Sequence, residues 1–334
     1  MKEGGSRLHT QVDEQEERLV SRKQSTGLSQ NLVSLIRKAA VQLEHDGRAS
    51  LAIRLLKQLL KDGDSHLPVA EKARLRATLG GMVWKRGSVE KAHALAADAL
   101  SLAEECDDPL ALSEALFVLG EVTYIEAAYM GWGDLDTAMT YHQRCLKMHL
   151  EAGNRHGESL SLSRIGVIHE RRGDQEEAET CYEAALLIAE ELDFSEGMFR
   201  PLVHIGLAKD RAGDLSGALV NHRRSLATAR CAHDVHSLTF GLCNVAEVGF
   251  RHDGRLEPAL ALLREALELA KRMDFRLALC RVPLMTGEVY LEAGMPQDAE
   301  REFEQSLHVA EAESFPRFIT YLGERINKLK TENE

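Results

Sequence analysis

Residues 158–193 read ESLSLSRIGVIHERRGDQEEAETCYEAALLIAEELD, and this stretch decides the fold. Apolar residues recur at three- and four-residue steps on both sides of Gly173, the spacing that gathers side chains on one face of a helix. Glycine takes the left-handed conformation at little steric cost, so Gly173 closes the first helix. Asp174 stands where a side chain caps the second helix, and with Glu177 it fits a capping box. Gly166, seven residues before the turn, and Ala178, five after it, are small, so the two helices can approach closely.

The same pattern returns on either side. Residues 199–234 read FRPLVHIGLAKDRAGDLSGALVNHRRSLATARCAHD, and residues 238–274 read LTFGLCNVAEVGFRHDGRLEPALALLREALELAKRMD. A glycine followed five residues later by an alanine occurs at Gly47/Ala52, Gly87/Ala92, Gly133/Ala138, Gly173/Ala178, Gly213/Ala218, Gly254/Ala259 and Gly294/Ala299, with glycine spacings of 40, 46, 40, 40, 41 and 40 residues. A second small residue precedes the turn at Gly80, Gly120, Gly206, Ala246 and Gly287. Asp134, Asp214 and Ser88 follow their glycines as caps, and Pro296 suits a first helical turn. One hairpin cannot bury both its faces, so stacked neighbours supply the core. The expected fold is all-α, a right-handed superhelical solenoid of antiparallel helix pairs. Seven hairpins fill residues 29–314, a polar tail or short helix occupies 1–28, and a capping helix with Phe318, Tyr321, Leu322, Ile326 and Leu329 at helical spacing occupies 315–334.

Composition narrows the function. Lys plus Arg number 41 against 53 Asp plus Glu, a formal charge of −12, which argues against nucleic-acid or anionic-membrane binding. The first 28 residues contain no apolar signal region, and no apolar run is long enough to span a membrane. Six cysteines without a CxxC pair read as reduced thiols in a cytoplasmic protein. No phosphate-cradling loop, nucleophile elbow or zinc-protease motif is present, so neither an enzyme nor a cofactor is expected.

Together these features resemble the tetratricopeptide repeat. Leu79-Gly80, Ile165-Gly166 and Ile205-Gly206 match its Leu-Gly pair, and Ala178-Tyr182-Ala185 and Ala299-Phe303-Ser306 match its second helix; Ala259-Leu263-Ala266 has Leu in place of the aromatic. The usual repeat is 34 residues, whereas these are about 40, as in the long-repeat subgroup that includes kinesin light chain, the Pins-type adaptors, the MalT-like regulator domains and the Rap-type peptide receptors. The resemblance implies a protein-interaction adaptor that binds a peptide or protein segment in a groove lined by the first helix of each pair. The alternative it implies is a ligand- or peptide-responsive sensor.

Carried onto this chain, the groove positions include Lys85, Arg164, Arg171, Arg200, His204, Arg211, Asn244, Arg251 and Arg281. Asn244 matches the asparagine that long-repeat members use to hold a peptide backbone, whereas its counterparts are Arg164 and His204. Arg171, Arg211 and Arg251 recur at forty-residue intervals, and a basic ladder of this kind favours an acidic peptide. The ladder has two other readings: complementing helix dipoles, or neutralisation by Glu170 and Asp210. The third unit carries a six-residue insertion, and Tyr124, Tyr129 and Trp132 in the stretch around it are either exposed anchors or packing for an enlarged junction. His142, Cys145 and His149, and Cys231, His233 and His236, have zinc-ligand chemistry. However, His142 and Cys145 fall on packing positions and the second set lacks a fourth ligand, so no metal is expected.

Overall fold

The computed structural model describes residues 30–63 and 66–333, and the polar segment expected at 1–28 lies outside them. Among the described residues there are fifteen α-helices and no strand. Consecutive helices pack in pairs: α1 (Gln30–His45) with α2 (Ala49–Gly63), α3 (Val69–Val83) with α4 (Val89–Cys106), α5 (Pro109–Ile125) with α6 (Leu135–Glu151), α7 (Arg155–Arg172) with α8 (Gln175–Glu191), α9 (Ser195–Arg211) with α10 (Leu215–Cys231), α11 (Val235–Asp253) with α12 (Leu256–Met273), and α13 (Arg276–Glu292) with α14 (Pro296–Ala312). A last helix, α15 (Pro316–Asn333), packs on α14. The molecule is an all-α helical-repeat solenoid.

All seven turn glycines of the ladder adopt the left-handed conformation, with φ between 70° and 93°. Asp134 caps α6 by accepting from the backbone N–H of Asp136 and Thr137, and Asp214 caps α10 through Gly217. Ser88 and Asp174 make no such bond. The Asp174 carboxylate lies 3.2 Å from His169 Nδ1 instead, so the expected capping box does not form. From the second hairpin onward, a second set of left-handed residues leads to the next helix pair: Asp107, Asp193, His233, Asp274 and Ser314, with φ of 50–55°, and Gly153.

The helices of a pair interlock through the small residues. A Cβ placed on Gly120, Gly166, Gly206 or Gly287 would lie within 2.5–2.8 Å of the ring of His142, Tyr182, His222 or Phe303. Each ring is at most 3% exposed and enters the slot left by the missing side chain. His142 and His222 thus occupy the place that Tyr182 and Phe303 take in other pairs. Burial pushes both imidazoles down to a pKa of about 4.

The six-residue insertion prolongs α5 through a π-helical turn, Glu126–Met130, rather than looping outward. That turn packs against α15, and a short 3₁₀ turn, Trp84–Arg86, packs against α13. These contacts belong to a seam where the superhelix meets itself. Arg86 pairs with Asp274, 188 residues away, at 2.5 Å. Nearly the same interval separates Glu44 from His236 (3.5 Å) and the stacked rings of Tyr129 and Phe318 (5.9 Å, 9°). Trp84 meets the edge of Phe275 at 6.4 Å. With hairpins of about forty residues, one superhelical turn takes about five of them. The first three hairpins therefore stack on the sixth, the seventh and α15.

At the centre of the seam, Glu44 accepts from Lys85 Nζ at 3.1 Å and faces His236. Burial pushes the Glu44 carboxyl up, but the Lys85 ammonium and His236 outweigh it and hold the pKa at about 2. Two apolar clusters, one of early hairpins with the C-terminal end and one around α11–α13, share Trp84, Tyr129, Leu284, Tyr290 and Phe318 at their boundary.

Candidate functional site

The first helix of each hairpin carries a recurring pair of positions, four and five residues after its small residue. The basic residue at the fifth position reaches the acid at the fourth position of the preceding hairpin. Lys85 reaches Glu44 at 3.1 Å, Arg211 reaches Glu170 at 2.7 Å and Arg251 reaches Asp210 at 2.6 Å. Arg251 also lies 3.8 Å from Glu292. These rungs neutralise most of the basic ladder, which matches the second of its alternative readings.

Glu170 is the centre of one rung. It accepts from the Tyr182 hydroxyl at 3.0 Å, from Arg211, and faces His204 Nδ1 at 2.6 Å. Burial pushes its pKa up, and the His204 and Arg211 contacts bring it down to about 2. His204 stacks on Tyr182 with ring centres 4.7 Å apart.

One rung differs. Arg171 has the same relation to Tyr124 that Arg211 has to Glu170, once the insertion is allowed for. Its Nε donates to the Tyr124 hydroxyl at 3.2 Å, and its guanidinium lies over the Tyr129 ring, 5.7 Å from the centre. An aromatic replaces the acid, so the positive charge is retained. Burial pushes the Tyr124 hydroxyl up to a pKa of about 12.

Arg164 lies over the Phe117 ring at 5.4 Å and pairs with Glu121 at 2.8 Å. Arg281 lies over the Phe240 ring at 5.1 Å. Among the described residues, neither Arg200 nor Arg281 has an ion pair. Burial lowers the pKa of His204, Glu170 opposes the shift, and the charges of Arg200 and Arg281 push it lower. Arg200 also acts on Tyr124. Asn244 is buried in α11. Glu288 accepts from the Tyr321 hydroxyl at 2.8 Å and from Arg325, so α15 continues the lining.

The structure therefore joins Arg171 to Tyr124 and to Tyr129 on the seam, His204 to Glu170, and Arg281 to Phe240. Trp132 stands apart, 44% exposed between two left-handed glycines at the tip of the insertion. His142 and Cys145 are buried packing groups, and Cys231 is exposed at the end of α10. Sequence reading missed Glu44, Glu121 and Phe240; the 41-residue offset between acid and base was the signal that locates the first of these.

The tetratricopeptide repeat family profile matches residues 158–230, the segment that spans α7 to α10. The matched segment contains the interlocking Gly166/Tyr182 and Gly206/His222 pairs, and the same slot recurs at Gly120 and Gly287 outside it. Over residues 158–230 the chain is thus similar to the tetratricopeptide repeat. Solved structures of the same fold include the Rap conjugation gene regulator of plasmid pLS20 in complex with the Phr* peptide, 14% identical over 88% of this chain and 80% of that one, TM-score 0.65. The apo quorum sensor NprR from B. thuringiensis is 13% identical over 96% and 94%, TM-score 0.53. A Rap protein complexed with competence and sporulation factor is 14% identical over 90% and 98%, TM-score 0.54. No curated protein matches the chain in sequence. The chain has the fold of a protein-interaction or peptide-binding module. No helix among the described residues is long and apolar enough to cross a membrane.

Proposed function

We propose that this repeat protein is a non-catalytic cytoplasmic adaptor that receives a peptide or protein segment inside its superhelix, built as seven hairpins with α15 as the terminal cap. The observation that supports this most directly is the lining itself. The first helices present half-buried charged and aromatic side chains inward, and ion-pair rungs between successive hairpins hold them in place. Preorganised groups of this kind leave most of the ordering cost to the ligand. The Rap-type neighbour solved with the Phr* peptide supports the choice of a peptide. Six unpaired cysteines are in keeping with a reducing compartment.

The test is to obstruct the interior without altering charge. Leu207, one residue after Gly206 on α9, is replaced by Trp, and proteins captured from a native lysate by wild type and variant are compared by mass spectrometry. The expected result is loss of the wild-type partner with unchanged helical content. Undiminished capture contradicts an interior site.

A second reading, a regulatory sensor, is favoured by the seam. Where successive turns touch, a ligand that fits only a wider interior must separate Trp84 from Phe275 and Tyr129 from Phe318, which changes the pitch. Ligand-dependent expansion or compaction in small-angle scattering supports the sensor, and unchanged dimensions support the adaptor.

A further inference from the structure

We propose that His236 is a proton-operated latch on the seam: its neutral ring packs where successive turns touch, and its protonation in mildly acidic solution opens the superhelix while the hairpins stay folded. The proposal goes beyond the interior-binding reading and does not depend on what the interior receives.

The first support is position. His236 is the second residue of α11, and the backbone N–H groups of His236 and Ser237 donate to the cap Asp234 at 3.0 and 3.3 Å. Its ring lies edge-on to Phe275 at 4.6 Å. Phe275 also meets Phe240 at 5.3 Å and, across the seam, Trp84 at 6.4 Å. From the far side of the seam, Glu44 of α1 approaches the ring to 3.5 Å from Nε2, and His236 is left only 9% exposed. The first two hairpins thus complete the cover of a ring that belongs to the sixth, and separating the turns returns it to water.

The second support is hydrogen bonding. Both ring nitrogens of His236 are buried, and neither makes a hydrogen bond among the described residues. The Glu44 oxygen that faces Nε2 already accepts from Lys85 Nζ at 3.1 Å. Protonation makes both nitrogens donors, so the closed seam would bury an additional N–H without an acceptor. The charges facing the ring are Glu44 from α1, Lys85 from the 3₁₀ turn and Asp234 at the cap of its own helix, while the corner between α12 and α13 presents the uncharged Phe275. The first turn of α11 also turns the positive end of the helix dipole toward an imidazolium.

The third support is the sign of the linkage. Burial, and then the Lys85 ammonium, push the His236 pKa below 6.5, and Glu44 and Asp234 oppose the shift without cancelling it. The opened form therefore binds the proton more tightly than the closed form. Closure is complete above pH 6.5 and weakens as the pH falls below it. Between pH 7.5 and 5.5 the opening equilibrium shifts by up to about tenfold. Glu44, held at about 2, stays ionised throughout that range.

The experiment uses the full chain with Trp132→Phe, which leaves Trp84 as the sole tryptophan. Acrylamide quenching of its fluorescence then reads the opening of the seam, and far-ultraviolet circular dichroism reads the hairpins. The quenching constant is expected to rise between pH 7.5 and 5.5 at unchanged helical content. Adding His236→Phe, or His236→Gln where the larger ring disturbs folding, is expected to hold the constant at its pH 7.5 value. Adding His142→Phe/His222→Phe, which removes the two slot imidazoles, is expected to leave the rise in place. Titration of the histidine rings by NMR is expected to give His236 a pKa below 6.5 in wild type and about 6.5 in Trp84→Ala/Tyr129→Ala, a return that a merely structural role would not produce. Four results overturn the proposal: no rise on acidification, a rise that survives in the His236 variants, a rise lost with the slot imidazoles, or the same His236 pKa in the closed and opened proteins.

Discussion

Two kinds of long-range contact hold this chain, and they differ in how they are encoded. Within the array, neighbouring hairpins meet at intervals of about forty residues through the glycine slots and the acid–base rungs. At the seam, turns of the superhelix meet at 188 residues through Arg86–Asp274 and at a similar interval through Trp84–Phe275 and Tyr129–Phe318. The array contacts recur with the repeat, so each is present several times in related form. The seam contacts occur once each. An array defect therefore breaks the stack on which neighbours depend, whereas a seam defect leaves every hairpin intact and changes only the pitch.

The comparison is broken most forcefully at a slot. Phe303 is fully buried against Gly287, and Phe303→Ala is expected to cost about 3–5 kcal/mol in denaturant unfolding. Trp84→Ala at the seam is expected to cost less, about 2 kcal/mol or under, because the ring is only partly buried. Its far-ultraviolet circular dichroism should match wild type while its radius of gyration increases. Equal losses in the two variants, with equal loss of helix, would erase the distinction.

Acid sharpens it further, because the slot histidines titrate where the aromatics do not. His142 and His222 have pKa values lowered from 6.5 to about 4 by burial. Between those values the unfolded chain binds more protons than the folded one, so their contribution is complete above pH 6.5 and is lost as pH falls toward 4. At pH 5.5 each is expected to reduce stability by about 1 kcal/mol relative to neutral pH. His222→Phe, which copies the Phe303 slot, should flatten that part of the pH–stability curve measured by denaturant unfolding. Glu44 and Glu170, lowered from 4.5 to about 2, contribute stability that is complete above 4.5 and is lost as pH falls toward 2. The smallest effect is expected from the partly exposed pair Arg86–Asp274. A double-mutant cycle with Arg86→Glu and Asp274→Arg should give a coupling of about 0.5–1 kcal/mol that weakens with salt.

The same distinction explains what the sequence made legible. Gly166, Gly173 and Ala178 lie within one repeat, so spacing alone placed them, whereas Tyr182 was placed by the family resemblance. The rungs were half legible: Arg171, Arg211 and Arg251 stood out by period, and Glu170 and Asp210 were weighed as their neutralisers. Which acid meets which base needed the superposition of adjacent hairpins. The seam was not legible, because the number of hairpins per turn depends on small rotations accumulated over about five units, and no local pattern states their sum. For the same reason the tyrosines of the insertion could be read as anchors or as packing. The π-helical turn makes Tyr129 a seam residue and Tyr124 a rung, and of these three aromatics leaves Trp132 exposed. Arg200 and Arg281 were visible as basic residues, but only the structure shows that Arg281 lies over Phe240 rather than in an ion pair.

The central claim is that the superhelix closes on itself while its hairpins stay independent of that closure. Small-angle scattering of wild type against Trp84→Ala/Tyr129→Ala tests it most directly. The account predicts a wild-type profile matching the stacked turns and a larger radius of gyration for the variant at unchanged helical content. Identical profiles for the two proteins, or a wild type already extended, would contradict it.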